Sequence, residues 1–550
     1  MTPTKQMAVQ LVGPDELQLN DDKPVHRPGP RQILGRVECV GLCFSDMKLL
    51  KQFDQHARKI PVLEHLDEAV LSEIPTYVPE GKPTVPGHEV VVRVEEVGEG
   101  VESVQVGQRY LVQADWRDLK TAKSNGAFGY NFEGGLQQYV LLDERCTVAK
   151  DGTSYLLPAK EERSASATAL VEPWACIEDA FLHHERQGLA TGGTLLVVPD
   201  GEGRADLDGL DLSPVEKRLY LCEAQGEACT CPEGFSCVGP DVLADESIDD
   251  CCFAGADAAL FERLMPKLAK NAVCIIATGG ASFGRPVSVP VGRVHYGNLR
   301  FIGTVGTRFA EAQARIPLNG EVREGDQVHV IGAAGPMGSM AVIRIVSLGL
   351  PGLKVDGSDM AMERLGVLRR KAEPVAVSKQ IPLRLFNPQE GQPTGAPDYV
   401  MLMVPVGPLV AKSVADVNED GVINIFAGIP SEVSQDIDLD AYCAKRLYFI
   451  GTSGSTMEDM QAVLRKVEAG ELDTNLSVGA VSGFGGAIEG LEAVRDGKVS
   501  GKILVYPALG DFPLTSLEEL AERYPSIGER LIDGNWSKAA EEELLRLAGN

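Results

Sequence analysis

The stretch "VHVIGAAGPMGSMAVIRIV", residues 328–346, decides how the chain is built. It opens as an apolar strand, continues through the glycine turn "GAAGPMG", and ends in an apolar run that reads as a buried helix. A strand, a glycine turn and a helix in that order cradle a dinucleotide pyrophosphate, because the first N–H groups of the helix point outward unpaired. Gly332, Gly335 and Gly338 supply the turn, Pro336 and Met337 open the helix, and Ala333 stands where a further fingerprint glycine is expected. Asp359 lies 21 residues beyond Gly338, at the end of the next strand, where a carboxylate would hold the ribose 2′-hydroxyl. An acid there repels a 2′-phosphate, so NAD is the expected cofactor; Arg364, five residues further on, leaves NADP as the alternative.

Working outward from this stretch, the same rhythm occurs twice. "TLLVV" (194–198) is followed by "RLYLCEA" (218–224) as "VHVI" (328–331) is by "LKVDGSD" (353–359). Leu195 to Tyr220 is 25 positions, and so is Val328 to Leu353. "DDCCFAG" and "DYVMLMV" each lead through a helical stretch into an apolar strand, "AVCIIATGG" in one case and "GVINIFAGI" in the other. "NLRFIGTVG" (298–306) then answers "RLYFIGTSG" (446–454); Cys251 to Phe301 is 50 positions and Val400 to Phe449 is 49. Matching order, matching spacing and the shared "FIGT" indicate two tandem α/β units, 191–325 and 326–477. In place of the glycine turn the first unit has "PDGEGRADLDG". Asp200, Glu202, Asp206 and Asp208 would oppose a pyrophosphate, so this unit reads as a nucleotide fold without a nucleotide. It also holds Cys222, Cys229, Cys231 and Cys237, which lack the paired C-x2-C spacing of a structural zinc site and read as ordinary buried or surface thiols.

The first 150 residues are dense in short β patterns, such as "QILGRVECVGLC", "VVVRVEEVG" and "LQQYVLLD", and suggest a small barrel-like β domain, expected to span 1–190. After 477, "VGAVSGFGGAIEGLEAVRDGKVSGKILVYP" provides a helix and a final strand, so 478–508 is expected to complete that domain. Residues 509–550 have the spacing of a docked helical tail.

Composition narrows the functions available. A formal net charge of -27 argues against nucleic acid or anionic membrane as a partner. No window of 18 uninterrupted apolar residues and no basic-then-apolar leader is present, and twelve Cys in 550 residues read as reduced thiols or metal ligands; a cytoplasmic location is expected.

Three pieces could build one metal site: Cys43 in "GLCFSD", His88 in "PGHEV" and Glu172 in "ALVEPWAC". A catalytic zinc takes three protein ligands from S, N and O donors and keeps a fourth position open. Each residue is weak evidence singly, since a lone Cys after a strand is ordinarily a small buried apolar residue. Together, ahead of a dinucleotide turn, they are much stronger.

With "VGLCFSDMK", "PGHEVVVRVEEVGEGVESVQVGQRY", "GGLQQYVLL", "LVEPWAC", "GAAGPMG" and "GKILVYP", the sequence resembles the medium-chain zinc-dependent dehydrogenase/reductase family. "GYNFEGG", "LVEPWACIEDAF" and "FIGTSGSTMEDM" look most like its sugar-phosphate branch, typified by L-sorbose-1-phosphate reductase. The resemblance covers about 1–190 and 326–512 and leaves out the first repeat. It implies a GroES-like β-rich catalytic domain followed by two Rossmann-like units, the first degenerate. It implies one catalytic Zn²⁺ per chain on Cys43, His88 and Glu172. Ser45 would begin a hydroxyl proton relay, Asp46 would orient a ligand, and Glu89 would approach the metal during exchange of water. The four-cysteine lobe that the family often carries is absent, since 89–145 contains no Cys.

The implied reaction is hydride transfer between NAD(P) and a polyol, sugar alcohol or sugar phosphate. Trp116, Asn125, Tyr130, Asn131 and Phe132 are candidates either for the substrate pocket or for loop packing, with Lys48 and Arg117 as candidate phosphate contacts. A metal-free quinone or enone reductase on the same fold, and a non-catalytic NAD-binding regulatory or scaffold protein, stand as alternatives. Because members of the family pair nucleotide-fold sheets edge to edge between subunits, the first repeat, with "GRVHYGNLRFIGTVG" at its edge, is expected to imitate that partner within one chain. The expected assembly is a monomer with an internal pseudo-dimer, or otherwise a homodimer.

Overall fold

The computed structural model describes residues 2–222 and 231–548. The chain forms two compact units, Met1–Cys176 with Ser455–Asn550, and Ile177–Gly454. Helix Met457–Ala469 therefore belongs to the first unit, and the second repeat closes at Gly454 rather than at 477.

The first unit is organised by the long strand Gln32–Gly41, which pairs antiparallel with Glu89–Val97, with Tyr139–Asp143 and with Lys502–Val505. Arg109–Val112 and Leu156–Ala159 extend the sheet on one side, Val478–Ser482 and Thr515–Ser516 on the other. Alternate residues such as Ile33, Val37, Val90, Val92 and Val112 turn inward onto one core with Leu491, Ile503 and Val505. The tail is docked on it. Trp536 is buried and donates to the Tyr506 hydroxyl at 2.9 Å, while Glu541 caps the backbone N–H groups of Ala165 and Ser166 at 2.7 and 2.9 Å.

The second unit carries one twelve-stranded sheet made from the two repeats. The first contributes Thr194–Val198 (β1), Lys217–Leu221 (β2), Ser236–Val238 (β3), Ile248–Ala254 (β4), Leu268–Ala277 (β5) and Arg300–Thr304 (β6). The second contributes Gln327–Ile331 (β7), Lys354–Ser358 (β8), Leu383–Phe386 (β9), Tyr399–Leu402 (β10), Val422–Ile425 (β11) and Tyr448–Ile450 (β12). Across the sheet they run β3-β2-β1-β4-β5-β6-β12-β11-β10-β7-β8-β9, the same doubly wound order read once from each edge. Every neighbouring pair is parallel except β6 and β12, which meet antiparallel at Ile302 and Tyr448. These are the two "FIGT" strands. Runs such as "TLLVV" and "VCIIA" are apolar throughout because both faces of a parallel sheet are covered.

The seam between the repeats has local two-fold character. Val287–Val289 and Gln435–Ile437, which precede β6 and β12 respectively, also pair antiparallel. Gly303 lies so close to Cys443 that a Cβ would stand 2.4 Å from its Sγ. Arg300 and Tyr448, one from each edge strand, both reach the buried Glu185 carboxylate. The edge strand of each repeat is thus covered by the other.

The repeats differ where the sequences differ. β7 leads through Gly332–Gly335 into helix Pro336–Ser347, whereas residues 199–216 after β1 contain no helix. Asp200 instead closes a turn on itself: its Oδ1 accepts the N–H groups of Glu202 and Arg204 at 3.0 and 2.8 Å, and its Oδ2 holds the Arg204 guanidinium. Of the four thiols read from the sequence, Cys222 and Cys237 bring their sulfurs to 3.0 Å at the β2–β3 edge, Cys231 donates to Phe235 O, and Cys229 lies outside the described residues.

Candidate active site and metal centre

Strand register assembles the site. Gly41, last in its strand, stands opposite Glu89, first in its own. The chain leaving the first strand at Cys43 therefore passes the chain entering the second at His88. Cys43 is the N-cap of helix Phe44–Gln52, which turns Asp46 back beneath it. Asp46 is fully buried; its Oδ2 accepts the Cys43 N–H at 3.2 Å and its Oδ1 lies 2.9 Å from His88 Nδ1. A carboxylate can only accept, so Nδ1 carries a proton, and in the neutral ring Nε2 keeps its lone pair. Ser45 Oγ is 3.1 Å from both Cys43 Sγ and His88 Nε2, so the two donor atoms converge on one point.

Glu89 completes the set. Ligand atoms of Cys43, His88 and Glu89 all lie within 4.8 Å of one another. One Glu89 oxygen accepts from Lys502 Nζ at 2.5 Å; the other, Oε2, is buried with no hydrogen-bond partner among the described residues. Gly41 makes room for it, since a Cβ there would stand 2.1 Å from that oxygen. Burial works against the Lys502 charge, yet the adjoining Glu89 and Cys43 hold its ammonium above the usual lysine range. Glu172, the expected third ligand, is half-buried on helix Val171–Leu182 and stands outside the 4.8 Å set. It senses the same pocket: burial, reinforced by Glu89, pushes its carboxyl up to about 6 against the pull of His88, Lys502 and Arg58. A thiol and two carboxylates facing one buried ammonium form a set that favours an added cation, and S, N and O donors together suit zinc.

The glycine turn has the geometry of a cofactor cradle. Gly332 has φ +82°, and a Cβ there would meet Val404 at 2.5 Å. A Cβ on Gly338 would lie 2.2 Å from Gly332 O, so only glycine lets the helix approach the turn. At Gly335, the helix N-cap, the nearest neighbour would be 3.7 Å away, leaving that side open. Pro336 is exposed and Met337 half-buried at the first helical positions. Asp359 folds over the turn, its Oδ2 accepting the Ala334 N–H at 3.1 Å.

Residues 29–152 match the model of the alcohol dehydrogenase GroES-like domain. That match gives residues 29–152 the character of an alcohol dehydrogenase GroES-like domain. It is 31% identical over 153 residues to L-sorbose 1-phosphate reductase of Klebsiella pneumoniae, covering 27% of this chain and 36% of that one. It is 25% identical over 315 residues to the uncharacterized protein YggP of Escherichia coli (strain K12), covering 52% of this chain and 70% of that protein. The fold is shared with 2R,3R-butanediol dehydrogenase from Bacillus subtilis at a TM-score of 0.52 and 16% identity, over 92% of this chain and 100% of that one.

The residues expected to line the substrate pocket divide. Trp116, Asn131 and Phe132 are core: Trp116 and Phe132 pack at 4.8 Å, and Asn131 braces its own loop through Ala127 N and Ile60 O. Asn125 is tied to Asp115 and Lys120. Tyr130 alone of the five faces the donor set, its ring 5.7 Å from that of His88. Arg117 donates to Ser455 O at 2.6 Å and to Asp115, and Lys48 is exposed. Lys502, Arg58 and His56 went unread in the sequence. Lys502 sits in the quoted "GKILVYP", but its partner is 413 positions away.

Proposed function

We propose that this chain is a zinc-dependent dehydrogenase that transfers a hydride between NAD(P) and a polyol or sugar alcohol, free or phosphorylated. The observation that carries the reading is the convergence of Cys43, His88 and Glu89 within 4.8 Å, with one buried Glu89 oxygen lacking a hydrogen-bond partner among the described residues. Cys43 and His88 would hold the metal with a carboxylate: Glu172 from the helix, as the family resemblance implies, or Glu89 as it now stands. Zinc held there would polarise the substrate oxygen as a Lewis acid. The residues around it prepare the site. Asp46 fixes the His88 tautomer and ties the Cys43 backbone to it. Lys502 offsets the charge of Glu89 in a space from which water is excluded. The Ser45 hydroxyl, beside both donors, is placed to begin a proton relay, giving up its own proton as it accepts that of the substrate hydroxyl. Gly332, Gly335, Pro336, Met337 and Gly338 would receive the pyrophosphate and Asp359 the ribose, favouring NAD over NADP.

In this division of labour, the first unit performs the chemistry, the second repeat, which closes at Gly454, holds the cofactor, and the tail 509–550 braces the catalytic unit. The first repeat, 191–325, acts as a built-in partner, so the chain works as a monomer. The test is a screen of polyols, sugar phosphates and secondary alcohols on the zinc-loaded chain, following NADH and NADPH absorbance with and without a chelator. Stoichiometric zinc, and turnover lost with Cys43→Ala, is the expected result. Turnover that survives both chelation and that substitution would overturn the reading.

A further inference from the structure

We propose that Arg58, with His56 beside it, is an anion subsite that holds a phosphate or carboxylate substituent of the substrate next to the metal centre. The inference rests on the dehydrogenase reading above and specifies its substrate class. The Tyr130 ring is the organising surface. His88 of the donor set lies 5.7 Å from it, His56 stacks on it at 5.2 Å, and the Arg58 guanidinium lies over it at 5.5 Å. One aromatic ring thus separates a metal-site imidazole from a cation. Arg58 also adjoins Glu172 and Cys176, which are half-buried one turn apart on their helix.

The guanidinium is available for a ligand. Its side chain is 34% exposed, and among the described residues no group accepts a hydrogen bond from it. Its one ion-pair partner, Asp115, stands 3.8 Å away and already takes Arg117 and Asn125 at 3.3 Å each. An arginine left with its planar fork of donors open is suited to two oxygens of a phosphate or carboxylate. His56 adds a second directed donor. Its Nδ1 accepts the Arg58 backbone N–H at 3.2 Å, so in the neutral ring the proton is on Nε2. Burial, with Arg58 and Lys48 nearby, holds that ring down to about 4, so it stays neutral at physiological pH. Lys48 contributes positive charge from the adjoining helix.

The test compares D-glucitol, D-glucitol 6-phosphate and D-gluconate on the zinc-loaded full chain, by steady-state kinetics and by calorimetric binding. The parent should prefer an anionic member. Arg58→Gln should collapse that preference by about 10- to 100-fold, through KM rather than kcat, and Arg58→Lys should restore part of it. Which anion gains identifies phosphate or carboxylate as the natural substituent. Equal losses on all three compounds would make Arg58 a structural residue, and no change on any would remove it from the site; either result overturns the proposal. If the parent turns over none of them, the dehydrogenase reading fails separately. Calorimetry then still decides the subsite: D-glucitol 6-phosphate or D-gluconate must bind more weakly to Arg58→Gln, and equal binding to parent and variant would overturn it.

Discussion

Arg300→Met is the perturbation that most directly tests the seam between the repeats. Arg300 is 2% exposed at the start of β6, and its Nε and Nη2 donate to Glu185 at 2.6 and 3.0 Å. Nη2 also reaches Gly451 O at 3.0 Å, and the Tyr448 hydroxyl donates to Glu185 at 2.7 Å. Removing the guanidinium leaves a carboxylate with a single hydroxyl donor where water has no access. Breaking one side of a buried pair costs about 3–5 kcal/mol. In a unit of this size each kcal/mol lowers the melting temperature by about 2–4 °C, so a fall on the order of 10 °C is expected. Glu185→Leu alone strands the cation and should cost a similar amount. The double change removes both charges, leaves only polar groups to satisfy, and should recover much of the loss. Calorimetry of the full chain with each variant provides the measurement. An Arg300→Met chain melting within about 2 °C of the parent would refute the reasoning, as would a double variant as unstable as the two single losses added together.

Four further outcomes are expected. Gly338→Ala forces a methyl group onto Gly332 O, at 2.2 Å, and should weaken NADH binding by at least about 10-fold in a fluorescence titration without changing zinc content. Lys59, fully buried, has its ammonium pushed down to about 7, first of all by burial, while the unfolded chain keeps the ordinary value of 10.5. The unfolded state therefore binds more protons between those values, and this group should add stability as pH rises from 7 toward 10.5; urea midpoints of Lys59→Met should lack that gain relative to the parent. Glu541→Ala frees the N–H groups of Ala165 and Ser166, and should cost about 1–3 kcal/mol in the first unit, read from its denaturant midpoint. Sedimentation should find a single species near 58.9 kDa, and an obligate dimer formed through the first repeat would contradict the internal-partner reading.

The donor pair was legible in the sequence because residue type carried the signal: a cysteine just past one strand and a histidine just before another are what a register such as Gly41 opposite Glu89 brings together. The third carboxylate was not settled by the same logic. Glu89 and Glu172 are both acids near the right place, and which oxygen comes within 4.8 Å depends on Gly41 leaving space and on Lys502 arriving from a strand 413 positions away. No local pattern records that distance. The duplication was legible from "FIGT" and its spacing, but the antiparallel meeting of β6 and β12 follows from how two sheets share an edge. Arg58 and His56 lie in a loop without periodicity, and only the Tyr130 ring between them and His88 gives them a role.

The acids of the first repeat have a local role that repulsion alone does not describe. Its acids were read as repelling a pyrophosphate from the position of the glycine turn. In the fold, Asp200 does more than repel. Its carboxylate takes the N–H groups of Glu202 and Arg204, the kind of donors that a phosphate would otherwise use, and neutralises itself on the Arg204 side chain. The absence of a helix over 199–216 removes the aligned dipoles as well. This loop therefore carries its own anion, and restoring nucleotide affinity would require rebuilding a turn and a helix rather than deleting charge. Asp200→Asn should accordingly leave the stoichiometry of NADH binding at one per chain; a second equivalent bound by that variant would show that charge alone had kept the first repeat empty.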